Sequence, residues 1–252
     1  MHYKSIFISD IHLGSKGCKA DLLCDFLKNN SSEHLYLVGD IIDGWRLKKK
    51  FYWPQSHTNV IRKILKAAKN ETAVTYVIGN HDDIFRDLLP YNVNFGNIQL
   101  VNHCYHIGVN GKTYIVIHGD MFDGVLRTNF QWLYHFGDVL YDLLLKVNHF
   151  VSKVRNWLGL PHWSLSKYLK DKTKEAVSYV NNFEDLITDY CRKQKADGII
   201  CGHIHKAEIK MINGIEYMND GDWVESMSAL VEHHDGRWEI IYWNVSSWGN
   251  SR

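Results

Sequence analysis

The chain carries almost no net charge: 29 Lys and Arg against 28 Asp and Glu leave +1 over 252 residues. That balance removes any global electrostatic case for nucleic acid, so a charged partner must be met by a local patch. Only three prolines interrupt the chain, and it has no repeat or low-complexity stretch. Five cysteines, at 18, 24, 104, 191 and 201, form no C-x-x-C pair and are odd in number. A disulfide framework is therefore a poor reading; buried, small apolar roles in a reduced, cytoplasmic setting fit better. No apolar run reaches the ~18 residues of a membrane span, and the opening MHYKSIFISD has no signal-peptide core. Any membrane contact is expected to be peripheral.

What the chain does have is an ordinary globular balance, 45% hydrophobic and 23% charged, at a length suited to one large domain or a domain with an insertion. β-favouring runs at residues 3–9, 34–38 and 73–78 alternate with helical periodicity at 20–30 and 58–69, the pattern of α/β units. The second half changes character. Asn110-Gly111, Asn213-Gly214 and Asp235-Gly236 each stand between β-rich runs, the strongest short-range hairpin signal. Strands at 112–117 and 198–201 lead into His118 and Gly202-His203. Between them, residues 121–195 are helix-rich, with Trp132, Phe136, Leu140 and Leu143 recurring three or four apart. The expected organisation is a core of residues 1–120 and 196–252, split by a helical insertion at 121–195 that acts as a cap.

Five short clusters hold the chemistry, in order: Asp10-x-His12, Asp40, Asn80-His81, His118 and His203-x-His205. Each follows a predicted strand, where open α/β sheets build their sites. Asp10 and His12 are two apart, and in extended backbone such residues point the same way; His203 and His205 repeat the device. The two oxygens of Asp40 suit a bridge between two cations, while Asn80 offers an amide oxygen and His118 an imidazole nitrogen. Mixed nitrogen and oxygen donors favour two ions of manganese, or of iron or zinc, over calcium or magnesium. Two such ions ~3.5–4 Å apart bind a phosphoryl group and activate water at neutral pH. His81 is placed to supply a cation or a proton to the leaving oxygen, with Asp82 expected to hold its far ring nitrogen. Gly39, Gly79, Gly119 and Gly202 flank the ligands, where turns need tolerant backbone. Any one of these clusters is common by chance; all five at strand ends, in order, are not. The ten remaining histidines read as surface or satisfied core residues.

Set out as Asp10-Ile11-His12, Gly39-Asp40-Ile41-Ile42-Asp43, Gly79-Asn80-His81-Asp82, His118-Gly119-Asp120 and Gly202-His203-Ile204-His205, the motifs resemble those of the calcineurin-like metallophosphoesterase superfamily. The resemblance spans residues 10–205. It implies an α/β fold, a four-layer α/β/β/α sandwich here carrying the helical cap insertion. It also implies a di-metal site, with Asp10, His12, Asp40 and His205 on one ion, Asp40, Asn80, His118 and His203 on the other, and His81 as the catalytic imidazole. Within the superfamily, the S-D-I-H-L-G opening at Ser9, the G-D-x-x-D-x-W stretch ending at Trp45 and the insertion are similar to the UDP-2,3-diacylglucosamine diphosphatases of lipid A biosynthesis. That likeness implies cleavage of a lipidated UDP-sugar to UMP and a lipid phosphate, often with manganese, by a peripheral protein of the inner membrane. By analogy Lys167, Lys170 and Lys174 would grip phosphate, and Trp132, Phe136, Leu140 and Leu143 would line an acyl groove. Those diphosphatases carry Arg after the ligand Asn where this chain has His81, the broader superfamily's residue. The basic-aromatic stretch Arg46–Trp53 and Gly221-Asp222-Trp223 match nothing in the pattern.

Three readings follow. The first is the lipid-linked pyrophosphatase. The second is a phosphomonoesterase or phosphodiesterase acting on a soluble nucleotide. The third is a non-catalytic, metal-stabilised scaffold, disfavoured because every ligand and His81 are present.

Overall fold

A computed structural model describes residues 1–91, 94–124 and 165–243, with backbone alone at 94–95 and 165–177. The chain divides into two compact units, Met1–Met121 with Asp185–Arg252, and Phe122–Glu184. In the first unit, β1 (His2–Ile8), α1 (Ala20–Asn29), β2 (Ser31–Val38), α2 (Gly44–Lys49), α3 (Gln55–Lys69) and β3 (Ala73–Val77) come in order. A 3-10 turn at Asp83–Tyr91 precedes β4 (Asn94–Phe95), β5 (Ile98–Val101), β6 (His103–Ile107) and β7 (Thr113–Ile117). The long helix α4 (Leu165–Lys193) belongs partly to each unit. Then follow β8 (Gly198–Cys201), β9 (Glu208–Ile212), β10 (Ile215–Asn219), β11 (Ser228–Glu232) and β12 (Trp238–Tyr242).

The strands form two sheets, ordered β12-β11-β1-β2-β3-β5-β4 and β6-β7-β8-β10-β9. Pairing is parallel through β1-β2-β3-β5 and through β7-β8-β10, and antiparallel at the hairpins. All three expected hairpins form. At Asn213-Gly214 both residues have positive φ, 49° and 84°, the pair of angles a type I′ turn requires.

Alternation along the strands explains the layering. In β1, Ile6 and Ile8 join Leu23 and Phe26 of α1 and Val60, Ile64 and Ala68 of α3 in one core. Phe7 faces the other way, into a core shared by both sheets with Tyr36, Val38, Tyr114, Val116, Ile200 and Met218. The helix α3 docks because its apolar residues recur at three and four. Burying Val60 and Ile64 contributes about 1.5–3 kcal/mol each. It starts three residues before the periodicity predicted, directly after Pro54, because its polar first turn carries no apolar signal.

Every ligand cluster lies just past the carboxyl end of a parallel strand: β1, β2, β3, β7 or β8. A cavity of about 740 Å³ opens at the other end of the sheet, against His2, Ser31, Thr72 and Ala73. It is far from these residues in the fold and contributes none of them.

In the second unit Tyr179 donates its hydroxyl hydrogen bond to Asp123 Oδ1 at 3.2 Å. Of the expected cap, Trp132, Phe136, Leu140 and Leu143 lie outside the described residues. Lys167, Lys170 and Lys174 fall on the α4 backbone, and their side chains are not described.

Candidate metal centre

The loops that leave the strands are tied to one another before any side chain is considered. Asp10 N–H donates to Gly39 O at 3.0 Å, His12 N–H to Asp40 O at 2.9 Å, and Gly202 N–H to His118 O at 3.2 Å. The backbone is not extended there. Asp10, His12, Asp40, His203 and His205 have φ of 49°, 53°, 55°, 70° and 52°, five of the nine non-glycine residues in the left-handed region among the described residues. The expectation that i and i+2 converge through strand geometry is therefore corrected. Asp10 and His12 meet because left-handed turns aim both inward, at a cost of about 1–2 kcal/mol per residue. Such strain concentrated on five candidate ligands marks a functional site.

Gly39 and Gly119 have the positive φ expected of them, 84° and 118°. Gly79 and Gly202 do not, and their reason is space. A Cβ at Gly79 would collide with the Asp40 carboxylate, and one at Gly202 with Ser9 and the Asp10 carboxylate.

The side chains converge. Asp10 Oδ1 lies 3.1 Å from His205 Nε2 and 3.8 Å from His12 Nε2. Asp40 Oδ2 lies 3.4 Å from His118 Nε2 and 3.9 Å from the Nε2 atoms of both His12 and His81. Asp40 thus faces imidazoles from three separate loops with a single oxygen, while its Oδ1 accepts the His81 backbone N–H at 2.8 Å. The His203 ring sits 5.0 Å from that of His118 between centroids, and the His203 backbone N–H donates to Asp10 Oδ2 at 2.9 Å.

Asp82 does not hold His81, contrary to expectation. It accepts from Ile41 N–H at 2.9 Å, Gly79 N–H at 2.6 Å and the Tyr76 hydroxyl at 2.5 Å, stapling the loops after β2 and β3. With its oxygens spent on backbone, it positions Asp40 and Asn80 and touches no reacting group. The partner of His81 is Asp43, whose Oδ1 is 3.0 Å from His81 Nδ1 and whose Oδ2 is 3.3 Å from His12 Nδ1. Asp43 stood in the G-D-x-x-D motif, but only the path of the loop shows what it holds. Trp45, two residues on, lies 4.3 Å from the His81 ring between centroids.

Two buried atoms decide whether metal ions fit. His118 donates Nδ1–H to Val38 O at 2.9 Å, which turns Nε2 into the centre, where it has no hydrogen-bond partner and becomes a ligand atom once its proton is displaced. Asn80 Oδ1 is likewise buried and unpartnered. A buried polar atom left bare costs about 1–3 kcal/mol, and two such atoms beside carboxylates are what cations would satisfy. Groups of His and Asp within ligand reach are Asp10–His12–His205, His12–Asp40–His81 and Asp10–Asp40–His118. The donor set fits a pair of divalent ions.

A family model for calcineurin-like phosphoesterases matches residues 3–207. The chain belongs to that family. As a calcineurin-like phosphoesterase it is a hydrolase of phosphoester or diphosphate bonds that works with divalent metal ions on a phosphate-containing substrate. It is similar to the UDP-2,3-diacylglucosamine hydrolase of Neisseria gonorrhoeae (strain ATCC 700825 / FA 1090), 26% identical over 90% of this chain and 92% of that protein. The protein of that name from Haemophilus influenzae (strain PittGG) is 23% identical over 90% of this chain and 94% of its own. Among solved structures, Yfce, a phosphoesterase from E. coli, aligns over 95% of this chain and 99% of its own at 14% identity. The TM-score of that alignment is 0.44.

Charge at the phosphoesterase centre follows from this packing. Burial opposes ionisation of Asp10, but the imidazoles of His205 and His118 hold its carboxyl well below the usual range. Asp40, equally buried, is held at about 2, chiefly by His118. His12 is pushed up to about 10 against its burial by Asp10 and Asp43; against their burial too, His118 is raised chiefly by Asp40 and Asp10 and His205 chiefly by Asp10. Two other buried acids go the opposite way. Burial and the charge of Asp40 raise Asp82, and burial raises Asp220 well above the carboxylate range. Ser9 Oγ lies 2.6 Å from both Asp220 Oδ1 and Asp10 Oδ2. A hydroxyl has one proton, so a protonated Asp220 donates to Ser9 and Ser9 donates to ionised Asp10. Sequence reasoning missed this relay, because Ser9 and Asp220 are 211 residues apart.

Proposed function

We propose that this phosphoesterase hydrolyses the pyrophosphate of a lipidated UDP-sugar such as UDP-2,3-diacylglucosamine, giving UMP and a lipid phosphate at the cytoplasmic face of the inner membrane. The observation that carries the reading is extent. Relatives bearing that name match 90% of this chain, well beyond the motifs that any phosphoesterase shares. Asp10, His12, Asp40 and His205 would hold one ion, and Asp40, Asn80, His118 and His203 the other, with manganese the expected metal. When bound, the ions neutralise phosphoryl charge and lower the pKa of water.

The chain's own residues supply the rest. Asp43 fixes His81 through Nδ1, which leaves Nε2 as the atom presented to the centre. From there it hydrogen-bonds a phosphoryl oxygen and hands a proton to the departing phosphate. Asp43 stabilises the imidazolium that this requires. The insertion at 121–195 would cap the centre, with Lys167, Lys170 and Lys174 on phosphate and Trp132, Phe136, Leu140 and Leu143 on acyl chains.

The test is UMP release by manganese-loaded protein from UDP-2,3-diacylglucosamine, alongside a panel of nucleotides and simple phosphate esters. Hydrolysis of the lipidated substrate with the higher kcat/KM supports the reading. Good cleavage of soluble nucleotides with none of the lipidated one replaces it with the soluble-substrate alternative. Inactivity across the panel with both metals bound returns the scaffold.

A further inference from the structure

Phosphate chemistry leaves the stretch Arg46–Trp53 without a purpose. Between Asp43 and Glu71 the chain has eight Lys and Arg and no Asp or Glu, in a protein whose net charge is +1. Lys48, Lys49 and Lys50 are exposed, and among the described residues no carboxylate pairs with them. Beside them Phe51 is 76% exposed, Trp45 40% and Tyr52 36%. A large, wholly apolar ring left this bare among cations is not explained by packing.

The patch is nevertheless held firmly. Asp43 Oδ1 caps α2 by accepting from Arg46 N–H at 2.9 Å. Leu47 fills the space above Gly14, where a Cβ would come within 2.7 Å of it. Trp53 Nε1–H donates to Thr58 Oγ1 at 3.0 Å. Because Asp43 also holds His81, the patch begins at the rim of the metal centre.

We propose that Trp45–Tyr52 is a docking surface for an anionic lipid bilayer, with Phe51 entering the headgroup region and Lys48, Lys49 and Lys50 meeting lipid phosphates. Lysines near an anionic surface and an aromatic at the acyl boundary are the two components of peripheral binding. Single-stranded nucleic acid would also meet the charge, but it needs successive free ring faces on which to stack bases. Here the Trp45 ring lies against His81 and the Tyr52 ring beneath Lys16 Nζ, 5.9 Å from its centroid. Phe51 remains, suited to a wedge rather than a stacking ladder. The surface deepens the lipid-linked reading, on which its purpose rests: a protein seated by this face brings its centre to a substrate that does not leave the bilayer.

The experiment is cosedimentation of the metal-loaded full chain with phosphatidylcholine vesicles and with mixed phosphatidylglycerol–phosphatidylcholine vesicles. Each variant is also assayed on bis(p-nitrophenyl) phosphate. Binding only to the anionic vesicles is expected. The triple variant Lys48→Gln, Lys49→Gln, Lys50→Gln should lose about a hundredfold in partition, and Phe51→Ser about tenfold, both with soluble-ester hydrolysis unchanged. Equal sedimentation with both vesicle types, wild-type partition in either variant, or binding of an oligonucleotide in place of vesicles overturns the proposal. So does loss of soluble-ester hydrolysis in the variants, because the patch would then belong to the site. Vesicle binding without UMP release from the lipidated nucleotide sugar ends the substrate reading and leaves the surface standing. UMP release from detergent-dispersed substrate without vesicle binding does the reverse.

Discussion

Two buried clusters in this protein have nearly the same composition and opposite characters. Between the sheets, His106 lies 3.1 Å from the Tyr36 hydroxyl through Nδ1 and 2.8 Å from Glu232 Oε2 through Nε2. The other Glu232 oxygen accepts Val109 N–H at 2.7 Å. Both ring nitrogens and both carboxylate oxygens are satisfied, and none of these residues has a positive φ. At the strand ends, imidazoles and carboxylates are packed as tightly, yet His118 Nε2 and Asn80 Oδ1 are bare and five residues are strained. A buried His–acid pair is therefore not in itself a site. What distinguishes a site is unspent donor capacity held open at an energetic cost.

That contrast makes predictions, the largest first. Asp40→Ala should strip both ions and abolish activity, because its carboxylate faces the imidazoles of both proposed ion sites. Elemental analysis showing two retained metals would refute the bridging role. His81→Ala should keep the metal content and lower kcat ~10²–10⁴-fold, the usual worth of a positioned acid or base; loss of the ions would make it a ligand instead.

His106→Leu should do the converse. Leaving Glu232 charged and unpaired in the core costs about 3–5 kcal/mol in denaturant unfolding, while the metal content stays unchanged. A drop in bound metal would show that the two clusters are coupled.

Smaller effects concern protons. His12 at about 10, with His118 and His205 also raised, means that the metal-free centre holds imidazole protons at neutral pH. Metal uptake must displace them, so affinity should rise with pH, and calorimetry in buffers of different ionisation enthalpy should show proton release. Heats independent of buffer would contradict this. For the structural pair, burial opposes the charge of Glu232, but the bonds to His106 and Val109 hold its carboxyl below its usual 4.5. A depressed acid stabilises the fold above its unfolded pKa, and the contribution is lost as pH falls through the folded value. The stability difference between wild type and Glu232→Gln should therefore shrink on acidification below that point.

Much of the fold was legible because local signals agreed. The Gly198–Cys201 strand and the Glu208–Asn219 hairpin sit where alternation and Asn213-Gly214 placed them. The short helix α2 was not visible, because its six residues are too few to show a period. The ligand clusters were legible as a set, yet the reason for their convergence was not. Strand periodicity alone would point Asp10 and His12 the same way, whereas left-handed turns do the aiming. Adjacency suggests that Asp82 serves His81, whereas its oxygens are taken by Ile41, Gly79 and Tyr76.

The sequence by itself determined which residue types stand at which strand ends, the family they belong to and the hairpins, since each is set by contacts a few residues apart. Only the tertiary structure decided that Asp43 holds His81, that Asp82 serves the backbone, that Asp220 reaches Asp10 through Ser9 and that Phe51 stays bare. Protonation and burial depend on groups brought together from distant parts of the chain, and one-dimensional spacing carries no information about such distances.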